Sequence, residues 1–302
     1  MTFQDVETAR KTYWDKLKTR LGVSAIISVV AGVVLSIGGR SAILYAVIIT
    51  FVVFSLAAGI TVFLTRKEAT AYRKAYKGYF VEQNFQKIFT DLSYSHQAGL
   101  DPAVLNATEM ITTGDLYNSN DLTVAKYQKV GFAQADVHIQ RENVDQDGNV
   151  TYYTIFKGRV MIFEFPKKFN FKLELIGKKS HAYRVPSKDY ATGRKMVKID
   201  TESNEFNHTF KIFAQDGFET FYLLDPARIA KIQAIADRYN RKILFGFLEN
   251  KMLVAINDGK DSFEPPRAFK PIDEKAELKK VATEIKVITD FVDELSLAPI
   301  FS

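Results

Sequence analysis

Residues 21–39 read LGVSAIISVVAGVVLSIGG and residues 41–65 read SAILYAVIITFVVFSLAAGITVFLT, with Arg40 alone between them. Neither run contains a charged side chain. At a helical rise of about 1.5 Å per residue they would extend roughly 28 and 37 Å, enough to cross a hydrocarbon layer of about 30 Å. A cleaved secretory signal has a shorter apolar stretch and does not lead straight into a second one. A buried globular hairpin does not ordinarily string together so many uncharged residues. The two runs therefore predict a transmembrane helical hairpin over residues 21–65.

On both sides of the hairpin the sequence is basic. Residues 1–20 carry Arg10, Lys11, Lys16, Lys18 and Arg20, and residues 66–77 carry Arg66, Lys67, Arg73, Lys74 and Lys77. Short basic flanks are retained on the cytoplasmic side, so the pattern predicts a multi-pass cell-membrane protein with both termini cytoplasmic. Residues 1–20 would be a cytoplasmic tail, and Gly38-Gly39-Arg40-Ser41 would be an external turn. Tyr13, Trp14, Tyr72 and Tyr76 fall where interfacial aromatics are expected. Ser24, Ala25, Ser28, Ala31, Gly32 and Ser36 give the first span a small-residue side, suited either to packing on its own partner helix or to other spans. Residues 66–90 continue helically, with Tyr72, Tyr76, Tyr79 and Phe80 on one side. This predicts a juxtamembrane stalk lying near the interface.

The chain of 302 residues is 47% hydrophobic and 25% charged and contains no cysteine, which excludes disulfides, thiolate nucleophiles, iron–sulfur clusters and cysteine-based zinc sites. A net charge of +6 raises the question of nucleic acid. Residues 1–77 alone carry +7, however, which leaves the rest at −1. Within that remainder, residues 157–198 carry +9 between acidic neighbours. Lys167, Lys168, Lys178, Lys179 and Arg184 in this stretch, with Arg66 and Lys67 at the membrane flank, are the candidate contacts for anionic lipid headgroups or a protein partner. The alternative is a solvated sheet face. No recognition-helix, RNP or glycine-rich phosphate motif supports nucleic acid.

Residues 91–302 predict a cytoplasmic α+β domain. Asp101-Pro102 should cap a short helix with Val104, Leu105, Thr108 and Ile111 inward, closed by Thr113-Gly114-Asp115. From about residue 121 strands follow, with turns at 145–148 (Asp-Gln-Asp-Gly) and at Asp216-Gly217. β-rich runs lie at 132–139, 151–156, 160–165, 171–176, 195–200, 207–214, 217–224, 242–248 and 252–257. Asp225-Pro226 should open a helix to about 239 with Ile229, Ile232, Ile235 and Ala236 on one side. A last helix over about 273–296 spaces Leu278, Val281, Ile285, Ile288, Val292 and Leu295 three and four apart. That stripe suits either packing on its own domain or self-association into a homo-oligomer. The fold class expected is α+β: an N-terminal transmembrane helical hairpin, then a β-rich antiparallel cytoplasmic domain with a C-terminal helix.

Chemistry is sparse. His96, His138, His181 and His208 show no metal-ligand spacing, and no nucleophile elbow, Walker or kinase signature occurs. Asp145-Gln146-Asp147-Gly148-Asn149 begins like a calcium loop but lacks a glutamate at its twelfth position, so a hairpin turn is the better reading. No cofactor is expected.

Residues 210–226 (FKIFAQDGFETFYLLDP) and 259–266 (GKDSFEPP), with 91–94 (DLSY) and 158–165 (GRVMIFEF), resemble the bacterial family called domain of unknown function 3137 over roughly residues 70–295. The resemblance implies this architecture, a bacterial source and membrane attachment, but no activity or site residues. The reading favoured by the sequence is a membrane-anchored cytoplasmic interaction module that binds a protein partner or the inner leaflet. An accessory subunit of a membrane transport or envelope complex is the alternative, and an enzyme of unrecognised type is the third.

Overall fold

Thr2 and Asp5 exchange hydrogen bonds (Thr2 N to Asp5 Oδ2 2.8 Å, Asp5 N to Thr2 Oγ1 3.3 Å), a capping box that starts helix α1, Phe3–Ser36. Residues 3–20 contain neither Gly nor Pro, so the predicted tail forms one helix with the first apolar run. The computed structural model describes residues 1–36, 40–165, 168, 172–180, 183–184, 195–215, 220 and 223–294. The predicted turn at 38–41 lies mostly outside them. Two units are distinguished: residues 1–83 with 264–280, and residues 84–263 with 281–302.

In the first unit α1 and α2, Arg40–Leu64, run antiparallel. Ser24 Oγ lies 3.2 Å from Thr61 Oγ1, and a side chain on Gly32 would collide with Thr50. Ser24, Ser28 and Thr61 are buried. The small-residue side is thus taken up inside the pair, where the missing side chain of Gly32 lets the helices close. The outward side chains are apolar and exposed, Val23, Ile26, Val30, Phe51, Leu56 and Phe63 among them.

Helix α3, Arg66–Tyr76, passes into a π-helical stretch, Lys77–Glu82, and then α4, Gln83–Ile88. The aromatic side expected at the interface is instead buried against the chain itself. Tyr76 and Phe80 are fully enclosed, Tyr72 OH donates to Pro266 O at 2.9 Å, and Phe3 packs edge-on against Phe80. Residues 66–80 are therefore a packed part of this unit, because the segment 264–280 supplies a protein surface that the sequence reading did not foresee.

Among the described residues of the second unit, nine strands form one sheet in the order β1-β2-β3-β4-β9-β8-β5-β7-β6. They are β1 Thr90–Ser95, β2 Leu116–Tyr127, β3 Val130–Val144, β4 Val150–Glu164, β5 Leu173–Gly177, β6 Val197–Ile199, β7 Phe210–Ala214, β8 Ile243–Leu248 and β9 Lys251–Ile256. Every pairing among them is antiparallel. Asp145 Oδ1 accepts from the amides of Asp147 and Asn149, and Gly148 takes φ 81°, which makes the predicted turn between β3 and β4. One face is covered by the segment carrying α5, Pro102–Thr108, with Leu100, Leu105, Met110 and Ile111 set against Val137, Val160, Leu244 and Leu253. The other face carries α7, Pro226–Arg238, and α8, Glu274–Glu294, whose Phe291 meets Phe163 and Phe245.

Several expectations need correction. Val104 is exposed, and α5 ends at Glu109, which takes a left-handed φ of 60°, rather than at Thr113-Gly114-Asp115. β2 starts at Leu116, five residues before the strand pattern becomes visible, and β1 was not anticipated. Residues Asn204–Thr209 form helix α6, capped by Ser203, so the run 207–214 is strand only from Phe210. Asp216 and Gly217 lie outside the described residues, but Thr220 and Leu223 are helical, which removes the strand expected over 217–224. Val281, Ile285, Ile288 and Val292 are buried by their own chain, so that part of the α8 stripe is a packing face.

Candidate functional site

The basic residues singled out in the sequence do not gather in one place. Lys167 lies outside the described residues. Lys168 is exposed beyond the end of β4, whereas Lys178 and Lys179 are exposed beyond the far end of β5. β5, five residues and about 17 Å long at a strand rise of about 3.3 Å, lies between them in the chain. Two members of the +9 stretch, Arg159 and Lys172, are buried in ion pairs. Arg66 and Lys67 belong to the first unit, where Arg66 stands 4.9 Å over the Phe63 ring.

What does gather is a smaller group at the Lys178 end of the sheet. Lys179 Nζ donates to Asn240 Oδ1 at 2.7 Å, and Gly177 packs so closely on the backbone of Arg241 that no side chain would fit. Lys178, Lys179, Arg241 and Lys242 thus border one edge. Arg184, joined to Asn106 Oδ1 at 2.7 Å, lies on the same side through Tyr183, whose hydroxyl accepts from Lys211 at 2.6 Å. Arg241 and Lys242 escaped notice because residues 199–302 are acidic on average.

A second constellation is buried. Asp136 on β3 pairs in register with Arg159 on β4. An irregularity in β2 between Asn120 and Thr123 gives Asp121 a φ of 58°. Asp121 accepts from Tyr94 OH at 2.6 Å and from Asn120 Nδ2 at 2.9 Å. Asp136 accepts from the amide of Ser262 at 2.8 Å and from its hydroxyl at 3.1 Å. Oxygens of Asp121, Asp136 and Asp261 all lie within 4.8 Å of one another. Arg159 supplies positive charge. It donates to Glu284 O at 2.7 Å and Glu284 Oε2 at 2.9 Å and stands 5.2 Å over Phe263. Burial pushes Asp136 up to about 7, against the pull of Arg159, and the charges of Asp261 and Asp121 add to the rise.

On the opposite face Lys172 is held by Glu109 Oε2 at 2.9 Å and Glu174 Oε1 at 3.2 Å. Glu174 is wholly enclosed, and burial pushes it up to about 7 despite Lys172. On that same face lies an open cavity of about 600 Å³ lined by Leu100, Val104, Leu122, Val124, Ala133 and Ile162. Neither feature was visible in the sequence, since each is assembled from segments far apart along the chain.

These observations define a mixed helix and antiparallel-sheet protein with two apolar N-terminal helices of membrane-spanning length. Residues 154–297 match the family described as "Protein of unknown function (DUF3137)". The match starts within β4, later than the resemblance over residues 70–295 suggested. No curated protein matches the chain. Among solved structures, the mycobacterial trehalose monomycolate transport factor A, TtfA, is similar with a TM-score of 0.38 at 9% identity, over 73% of this chain and 94% of that one. A likeness at that score says nothing of this chain's role.

Proposed function

We propose that this chain is a membrane-anchored interaction module, with α1 and α2 in the bilayer, both termini cytoplasmic, and a basic sheet edge that contacts the anionic inner leaflet. The observation that carries this reading is the exterior of the helical pair. Only 11% and 6% of the apolar windows of α1 and α2 are buried, the opposite of a core helix in a water-soluble protein. Exposed apolar surface on that scale calls for lipid. The basic flanks support the orientation. Reporter fusions after Gly39 and after Ser302 test it: the first is expected to report an external position and the second a cytoplasmic one. An external C-terminus would overturn the proposal.

The leaflet contact has its own test. The full chain, reconstituted in neutral nanodiscs, is expected to bind vesicles of mixed phosphatidylcholine and phosphatidylglycerol, and binding should weaken as salt rises. Changing Lys178, Lys179 and Lys242 to Gln should weaken it, each contributing up to about 1 kcal/mol. Lys168→Gln, at the other end of β5, should leave it unchanged. Equal losses from both variants would mean that the edge is not the contact, and a partner protein would then replace the leaflet in this reading.

A further inference from the structure

β3 and β4 outrun the rest of the sheet. β2 follows β3 as far as Gln140, opposite Leu116, and β9 first meets β4 at Arg159. Beyond Gln140, residues Arg141, Glu142, Asn143 and Val144 pair with Tyr153, Tyr152, Thr151 and Val150, and among the described residues with no third strand. These four pairs make a two-stranded arm about 14 Å long at about 3.4 Å per residue. Alternation puts Glu142, Val144, Val150 and Tyr152 on one face and Arg141 and Tyr153 on the other. Val144, Val150, Tyr152 and Tyr153 are exposed by 55%, 50%, 45% and 49%. A ribbon with nothing packed on it is marginal in water. This one is nevertheless held in shape. Asn149 Nδ2 donates to Asp145 Oδ2 at 2.9 Å at the tip, Tyr152 OH to Glu142 Oε2 at 3.1 Å along the arm, and Glu142 N to Asp115 Oδ2 at 2.8 Å at the base.

The arm is acidic: Asp115, Glu142, Asp145 and Asp147 stand against Arg141 alone, a net −3. Strand directions place it at the same end of the sheet as the basic edge. Ile256 of β9 lies opposite Arg159, Ile243 of β8 opposite Ile256, and Ile176 near the end of β5 opposite Leu244. Lys178, Lys179, Arg241 and Lys242 flank those strand ends. β9 and β8 lie between β4 and β5, so arm and edge are about 14 Å apart, three strand spacings. Lys179 donates to Asn240, and Arg241 pairs with Asp237 at 3.3 Å. Among the described residues, Lys178 and Lys242 are exposed and have no carboxylate partner.

We propose that this arm docks on the basic edge of a second copy of the chain, in a two-fold dimer where each copy gives one arm and receives one. Arm and edge stand side by side at one end of the sheet, so a two-fold axis at that end sets both contacts at once. Within one copy the arm is held in the β3–β4 register, three strands from Lys178, and cannot reach the edge itself. Opposite charge sets the register of the contact, and the valines and tyrosines supply apolar area that leaves water. The contact goes beyond the leaflet reading but uses the same lysines, so an edge held by a neighbour is withheld from lipid.

Light scattering of the full chain in nonionic micelles tests this. At about 0.1 M salt the chain should be dimeric; at about 1 M, where the screening length falls from about 10 Å to about 3 Å, it should be largely monomeric. An arm-reversed variant (Glu142→Lys with Asp147→Lys) and an edge-reversed variant (Lys178→Glu, Lys179→Glu and Lys242→Glu) should each dimerise at least about tenfold more weakly. Mixed together they should dimerise again, because each arm then meets an edge of opposite sign. Tyr152→Ser with Val150→Ser should weaken the dimer about tenfold at either salt, and Lys168→Glu, at the other end of the sheet, should not change it. A monomer at low salt would overturn the proposal. So would a dimer indifferent to salt and to both reversals, which would place the contact on the helical pair, or a mixture that stays monomeric. If either reversed variant fails to fold, the salt response together with Tyr152→Ser decides. Phosphatidylglycerol added to the micelles should shift dimer to monomer where phosphatidylcholine does not. A dimer indifferent to it would count against the leaflet contact alone, which keeps the two failures apart.

Discussion

Arg159→Met is expected to destabilise the sheet unit by about 3–5 kcal/mol, the cost of removing one partner from a buried charge network. Arg159 is 3% exposed and engages Glu284 through both terminal nitrogens while facing Asp136 across the β3–β4 pair. Methionine fills much of the space of the side-chain stem, so the loss would come mainly from charges left unpaired and not from a cavity. The defect should depend on pH. Arg159 holds Asp136 below the value that burial alone would impose, so without it Asp136 keeps its proton to higher pH. Ionisation becomes more costly, and the variant should lose more stability at pH 8 than at pH 6. Urea unfolding of the full chain in micelles, followed by circular dichroism at both pH values, would show this. An equal loss at both would mean that Arg159 acts by packing alone.

How far such a network can be read from sequence depends on what encodes it. The two apolar runs are local and continuous, so their helices are legible; residues 1–20 predict a cytoplasmic tail, although nothing in them breaks a helix. Asp101 and Asp225 announce helix starts because a cap needs only its own neighbours, and both accept from amides as expected. The carboxylate cluster differs. Asp121, Asp136 and Asp261 span 140 positions of the chain and meet only through strand register and a bulge in β2. The available signal was Asp136 itself, a charged residue between Ala135 and Val137 in an apolar strand. The basic stretch shows the reverse error. A sum over residues 157–198 treats every cation as exposed, whereas Arg159 lies inside β4 and is buried and Lys178 lies past the end of β5 in water. GKDSFEPP is recognisable as a motif in the sequence, but its attachment to the sheet through Ser262 and Asp136 is set by the fold.

The ion pairs of Lys172 provide the other large effect, and a pair of variants can separate charge from packing. Lys172 stands between Glu109 and Glu174 on the face opposite Arg159, and both Lys172 and Glu174 are fully enclosed. Lys172→Met alone is expected to cost about 3–5 kcal/mol at pH 8, because Glu174 would have either to stay ionised in an apolar interior with no cation beside it or to take up a proton at a pH where that is costly. Glu174 already takes up a proton near pH 7, and losing Lys172 would raise that value further. The single variant should therefore recover part of its stability by pH 6, where protonation removes the stranded charge. Adding Glu174→Leu should restore most of what Lys172→Met lost and flatten the pH dependence, since buried ion pairs replaced by apolar groups of similar volume are often neutral in stability. Glu109 tempers this rescue only slightly, because it is partly exposed and can be hydrated. A double variant no more stable than Lys172→Met at pH 8 would show that the lysine stem packs a site leucine cannot fill, and would move the explanation from electrostatics to shape.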